Sequence, residues 1–283
     1  MLYGRLLDSL IMTLPTTETL LLEQKDHALH IVINRPKVRN AMSLQMVQEL
    51  IAVFDSIKDD RSVRAVVLRG ADGNFCAGGD IKDMANARAG ATSTNESDDP
   101  FFTLNREFGR MITQVNHAPQ VVIAVVEGAV LGGGFGLACV SDVAIAAESA
   151  KFGLPETGLG IPPAQIAPFV VNRIGLTQAR RLALLGARFG GAEAARLGIV
   201  HYACHDEDAI NKQLEEVLTQ VKRCAPDANI ITKALILSVD SNNIESVLDS
   251  AAKSFSDCVK GKEGTEGMTA FMQKRLPNWA QND

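Results

Sequence analysis

The sequence predicts an α/β protein with largely parallel strand pairing, followed by a long helical C-terminal region. Three observations carry that prediction. Strand–helix–strand units recur along most of the chain, glycine-rich turns stand directly beside strands, and the apolar spacing turns helical from about Asp206. With 283 residues, 46% of them hydrophobic and 22% charged, the chain carries enough apolar material for a large core.

Residues 28–34 (Ala-Leu-His-Ile-Val-Ile-Asn) alternate and are rich in β-branched side chains, so they read as a strand that Arg35-Pro36 stops. Ser43 can cap a helix whose apolar stripe is Val47, Leu50, Ile51 and Phe54. Residues 64–69 form the next strand. The unit then recurs, with 121–126 as a buried strand, 131–140 as a helix and 142–147 as a strand. Residues 84–100 lack an apolar period and predict a surface excursion, either a lid over a site or a loop with no role. His117, shortly before Pro119, reads as a helix-end residue. Past Asp206, Leu214, Val217 and Val221, and then Ile230, Ile231, Ala234, Leu235 and Leu237, mark successive amphipathic helices. Such a tail must pack on the core or on a neighbouring subunit.

Bulk properties exclude several classes. The net charge is -5 and Lys and Arg are dispersed, so nucleic acid is not an expected partner. The five cysteines are odd in number and show no CxxC spacing, which argues against a disulfide framework or a zinc cluster, and no metal is expected. Cys139 reads as core filler. Cys76 lies in a glycine-rich turn without the His or Asn signature of a nucleophile. The longest uncharged apolar stretch, 128–140, is too short and glycine-rich for a bilayer span. The first eleven residues contain Arg5 and Asp8 and lack a signal-peptide core, with Met12 an alternative start. The expectation is a cytoplasmic protein with no membrane partner.

Two glycine clusters carry chemistry. Asn74-Phe-Cys-Ala-Gly-Gly-Asp80 follows a strand, and Glu127-Gly-Ala-Val-Leu-Gly-Gly-Gly-Phe-Gly136 links a strand to a helix. Glycine permits close backbone approach, and a helix N-terminus offers unpaired N–H groups to negative charge. Two such amides aimed at one oxygen make an oxyanion hole. Either cluster alone is equally a tight packing site. The run does not match GxGxxG in register and no GK[ST] follows, which leaves dinucleotide and P-loop readings as weak competitors.

With their surroundings these segments resemble the crotonase (enoyl-CoA hydratase/isomerase) superfamily from about Thr17 onward. The matching pieces are Asn34-Arg-Pro36, Arg39-Asn-Ala-Met-Ser43, Phe75-Cys-Ala-Gly-Gly-Asp-Ile81, Gly128-Ala-Val-Leu-Gly-Gly-Gly134, Asp142-Val-Ala-Ile-Ala, Phe152-Gly-Leu-Pro-Glu156 and the terminal Glu266-Gly-Met-Thr-Ala-Phe-Met-Gln-Lys274. The resemblance implies a crotonase-like spiral of ββα turns (12–205) with a helical C-terminal trimerisation region (206–283). It implies a homotrimer or a hexamer of paired trimers, and an acyl-CoA substrate with no separate cofactor, CoA being carried in the thioester. By the same resemblance Gly79 and Gly133 form the oxyanion hole. Lys37, Val38, Arg39 and Ala77 take the CoA-binding positions of the first half, and Phe271 and Lys274 contact CoA, commonly from an adjacent subunit.

Two-acid hydratases of this family carry a glutamate three positions after the middle glycine, where Gly136 stands here, and a second in the Pro-Glu turn, where Glu156 is present. Outside the family pattern Glu156 would read as a solvated turn residue. Asp80 and Asp142 sit at element junctions and read as caps or turn ties. A single carboxylate suits a proton shuttle, so a single-glutamate enoyl-CoA delta-isomerase is the alternative to a hydratase. A noncatalytic CoA-binding member is a third reading, against which the retained Glu156 argues. The run 157–171 departs from the usual glycine-rich sequence and resembles that of isohexenylglutaconyl-CoA hydratases of bacterial acyclic-terpene degradation. This implies a branched substrate with a long apolar tail and a distal carboxylate, for which Arg106 or Arg110 is a candidate partner.

Overall fold

The computed structural model describes residues 14–80, 82, 83, 85, 99–239 and 243–281. The expectations for Met12, for the first eleven residues and for most of the 84–100 excursion lie outside the described residues. Strand β1 (Leu20–Lys25) forms an antiparallel hairpin with β2 (Ala28–Ile33). From β2 the main sheet continues in parallel through β3 (Ala65–Gly70), β4 (Val121–Val126), β6 (Val143–Ala147) and β9 (Tyr202–Cys204). Parallel strands covered on both faces should be apolar throughout, and β4, Val-Val-Ile-Ala-Val-Val, is. Alternation still sorts its side chains. Val66, Leu68, Val122 and Ala124 enter one core, while Ala65, Val67, Ile123 and Val125 enter the other.

The first core is closed by α1 (Leu44–Ile57), α2 (Pro100–Asn116), α3 (Gly133–Val140) and α4 (Ala167–Leu185). Ser43 caps α1 as expected, its hydroxyl accepting from the Met46 N–H, and His117 ends α2. A second layer, not anticipated from the sequence, consists of the three-residue strands β5 (Ala129–Leu131), β7 (Lys151–Gly153) and β8 (Arg188–Gly190). Bridges from Cys76 to Val130 and from Met42 to Gly79 extend it, so each turn of chain adds one short rung. Phe135 meets Phe152 and Phe189 edge-on inside this layer, and Phe152 and Phe189 stack at 5.7 Å.

After the short helix α5 (Gly191–Arg196), α6 (Glu207–Arg223) covers the outer face of the main sheet with Ile210, Leu214, Val217, Leu218 and Val221. Arg64 locks its end: the guanidinium donates to the carbonyls of Val221, Lys222, Cys224 and Trp279. Trp279 donates its indole N–H to Arg223 O at 3.2 Å and packs against Gly267. Helices α7 (Pro226–Leu237), α8 (Ile244–Lys260) and α9 (Lys262–Met272) bury little of their apolar surface. Phe255 is 72% exposed and Phe271 86% exposed.

Candidate active site

The first glycine turn is braced from the side. Arg39 and Asn40 take left-handed backbone angles (φ 49° and 57°) after the 3₁₀ turn Pro36–Val38. The buried Asn40 side chain accepts from the Arg35 N–H and donates to Ala71 O and Asn74 O. Arg35 pairs with Asp80 at 2.7 Å. Three backbone bonds then lay the segments side by side: Ala77 N–H to Arg39 O, Met42 N–H to Gly78 O, and Asp80 N–H to Met42 O. In that parallel register Gly79 turns its own N–H to the other side, where it has no acceptor among the described residues. Lys37, Val38, Arg39, Ala77 and Gly79 are thus brought together, with Lys37, Arg39 and Gly79 exposed.

The second turn contributes the start of α3. Gly132 has φ +50° and donates to Gly153 O, and the helix begins at Gly133 without a capping side chain. The Cys76 side chain packs beneath Gly134, where a Cβ would stand 2.7 Å from Cys76 Cβ and 3.3 Å from its sulfur. The half-buried Gly133 N–H stands at the positive end of the helix, without an acceptor among the described residues. The turns touch: a Cβ on Gly132 would stand 3.5 Å from Gly78 Cα, and one on Gly133 would stand 3.2 Å from the Phe108 ring and 3.4 Å from Met42 Sδ.

Glu156 reaches this point from the 3₁₀ turn Glu156–Leu159 that follows β7 and Pro155. Its Oε1 stands 2.7 Å from where a Cβ on Gly132 would be, so the carboxyl lies directly against this glycine, whose φ of +50° a side chain would strain. Its Oε2 is buried with no hydrogen-bond partner. Burial raises the Glu156 pKa above the ordinary carboxylate range, opposed only by its own backbone N–H. Such a group suits proton transfer nearer neutrality. The other candidates are occupied. At Asp80, burial pushes the pKa upward but is outweighed by Arg35 and the Lys82 N–H, so the pKa falls. Asp142 accepts from the Val122 N–H and from Lys233. Burial pushes the Cys76 thiol up to about 11, unlike a reactive nucleophile.

Gly136 is packed shut. A Cβ there would overlap Ile166 Cγ2 and stand 2.9 Å from Ile112 Cδ1, so apolar side chains fill the place of a second acid. Phe271 and Lys274 are not brought to the turns within one chain: Phe271 projects outward, and Glu266 holds the segment to the following turn by accepting from Arg275 and from the Asn278 N–H. Arg110 pairs with Glu107, whereas Arg106 donates to Gln165 Oε1 at 2.7 Å. Sequence reasoning missed the parts of Met42, Phe108, Ile112 and Ile166. The spacing of Asn105, Phe108, Gly109 and Ile112 at i, i+3, i+4 and i+7 would have marked the inner face of α2. No group of His, Cys, Asp and Glu suited to a metal occurs among the described residues. Nor is any of their helices long and apolar enough to cross a membrane.

A desolvated carboxyl set against the Gly132 turn, which itself touches the Gly78 turn, is an arrangement suited to moving a proton next to a carbonyl. The chain belongs to the enoyl-CoA hydratase/isomerase family, whose pattern matches residues 23–282. It is 31% identical to a probable enoyl-CoA hydratase, echA8, of Mycobacterium bovis over 265 residues, 93% of this chain and 98% of that one. It is 31% identical to the short-chain-enoyl-CoA hydratase of Clostridium acetobutylicum over 90% of this chain and 95% of that one. Among solved structures, AtuE of Pseudomonas aeruginosa is 62% identical with a TM-score of 0.90, over 93% of this chain and all of that chain. An enoyl-CoA hydratase/isomerase from Marinobacter aquaeolei is 59% identical with a TM-score of 0.91, over 93% and 99%. The mixed α/β spiral and its helical C-terminal region are those of the crotonase fold.

Proposed function

We propose that the enoyl-CoA hydratase activity of this chain is directed at a branched unsaturated acyl-CoA, isohexenylglutaconyl-CoA. The substrate reading rests on the likeness of the 157–171 run to hydratases of that thioester, and the 62% identity to AtuE supports it. The observation that carries the mechanism is Glu156 itself, whose Oε2 is buried and unpartnered while its Oε1 lies against Gly132. The N–H groups of Gly79 and Gly133 hold the thioester oxygen. Glu156, as carboxylate, takes a proton from water while the water oxygen bonds to the β-carbon. The C=C electron pair moves onto the thioester oxygen as an enolate. The pair then returns, and the α-carbon takes the proton back from Glu156. Lys37, Val38, Arg39 and Ala77 receive the CoA portion. The exposed apolar faces of α7–α9 form a trimer, single or paired, in which Phe271 and Lys274 serve the CoA of a neighbouring subunit.

Turnover of isohexenylglutaconyl-CoA in oxygen-18 water tests this. One labelled oxygen is expected at the β-carbon, with near-complete loss of that rate in Glu156→Gln. Migration of the double bond without label would overturn the hydration and leave the delta-isomerase.

A further inference from the structure

Just past α9, Lys274 takes a left-handed backbone angle (φ 53°). The bonding there is that of a helix closed by a chain reversal: the Arg275 N–H donates to Ala270 O and the Lys274 N–H to Phe271 O. Glycine usually holds such a position, because a side chain is strained at positive φ. A lysine kept there against the local preference points to a use for its side chain. Lys274 is exposed, as is the ring of Phe271 three residues earlier, and its ammonium enters no ion pair among the described residues.

The reversal has a clasp. Glu266, earlier on α9, accepts from Arg275 Nη1 at 2.7 Å, from Arg275 Nη2 at 2.9 Å and from the Asn278 N–H at 2.8 Å. A bidentate arginine–carboxylate pair is directional, so it fixes the course of the chain at Arg275 and at the lysine before it. Arg275 also donates to Gln273 Oε1 and to Leu276 O, which draws the residues on both sides of Lys274 to one carboxylate. The chain beyond is anchored separately, by Trp279 on Arg223 O and by Arg64 on Trp279 O. Loss of Glu266 would therefore free the reversal and leave the end of the chain in place.

We propose that Glu266 is a positioning residue: its clasp on Arg275 and Asn278 holds Lys274 in the left-handed turn and so aims the ammonium at the anionic end of CoA bound by a neighbouring subunit. The proposal rests on the reading of Lys274 as a CoA contact.

Calorimetric titration of the full chain with CoA itself, paired with amide hydrogen exchange, tests this. In Glu266→Ala the Lys274 and Arg275 amides should exchange about tenfold faster. The Kd for CoA should rise about fivefold, while kcat for isohexenylglutaconyl-CoA stays within about twofold of wild type. Lys274→Ala should weaken CoA at least as much. Adding Glu266→Ala to it should change the Kd no further, since a clasp that acts through Lys274 has nothing left to aim. A Glu266→Ala effect that persists undiminished in the Lys274→Ala background overturns the proposal. The two remaining failures differ. Lys274→Ala with the wild-type Kd defeats the reading of Lys274 as a CoA contact, and the proposal with it. A weakened Lys274→Ala beside an unchanged Glu266→Ala defeats the clasp alone. If Glu266→Ala does not fold, Glu266→Gln, which keeps an acceptor for Asn278 but no charge for Arg275, decides in its place.

Discussion

Glu156 has one oxygen against Gly132 and the other buried without a partner, and both facts bear on how it titrates. Because it must be a carboxylate to accept a proton from water, kcat/KM should fall as pH drops through its raised pKa, at a pH above the ordinary carboxylate range. A pH–rate profile checks this. The sign for stability is the opposite of the usual carboxylate case. The folded chain binds this proton more tightly than the unfolded chain, so Glu156 costs stability as pH rises from the ordinary pKa to the raised one. Glu156→Gln should therefore melt higher than wild type above that window and equally below it, while losing roughly a thousandfold in turnover. Thermal melts at several pH values, paired with rates, separate the two effects. The candidate site was partly legible at this scale. Gly79, Gly133 and Glu156 stand in motifs whose glycines are needed by the backbone. Ile166 was not legible, because its partner Gly136 lies on another element and a glycine does not announce what fills the space beside it.

At the scale of elements, α3 is a short apolar helix whose two ends do different things. Its first turn offers an amide, and its next turn meets Ile112 and Ile166. Gly136→Glu alone should destabilise the protein by roughly 3 kcal/mol, through overpacking and an unpaired buried charge. Gly136→Glu with Ile166→Ala should recover much of that loss, as chemical denaturation would show. Arg64, far from this site, joins β3 to the end of α6 and to the C-terminal turn through four carbonyls. Arg64→Ala should cost about 3 kcal/mol by the same measurement, since several acceptors lose a charged donor at once. The long elements were legible from period alone: β4 spans residues 121–126 as expected, and α1 starts at its Ser43 cap. The strands β5, β7 and β8 were not. Three residues are too few to show an alternation, and their pairing is set by spiral closure rather than by local preference.

For the whole molecule, the contrast between α6 and the helices after it is decisive. α6 buries its apolar stripe on the sheet, whereas α7–α9 leave Ile236, Leu248, Phe255 and Phe271 to solvent in a single chain. If those faces meet copies of the same chain, Phe255→Asp should lower the molar mass measured by light scattering to that of one subunit. Phe271→Ala should raise KM for the acyl-CoA about tenfold with kcat little changed. Mixing Phe271→Ala with Glu156→Gln subunits should restore part of the activity, as shared sites require. The spread of amphipathic residues past Asp206 showed that these helices need a partner, but period does not distinguish a sheet from a second subunit. α6 and α7 therefore look alike in sequence and differ in what covers them.

The chain has a single tryptophan, and it is Trp279, seated between Gly267 and the end of α6. Its fluorescence is accordingly a private signal of the last turn of chain and is blind to the catalytic half. An emission that shifts to the red at lower urea than the loss of helical circular dichroism would report that this end detaches first. Coincident curves would make it part of one cooperative unit.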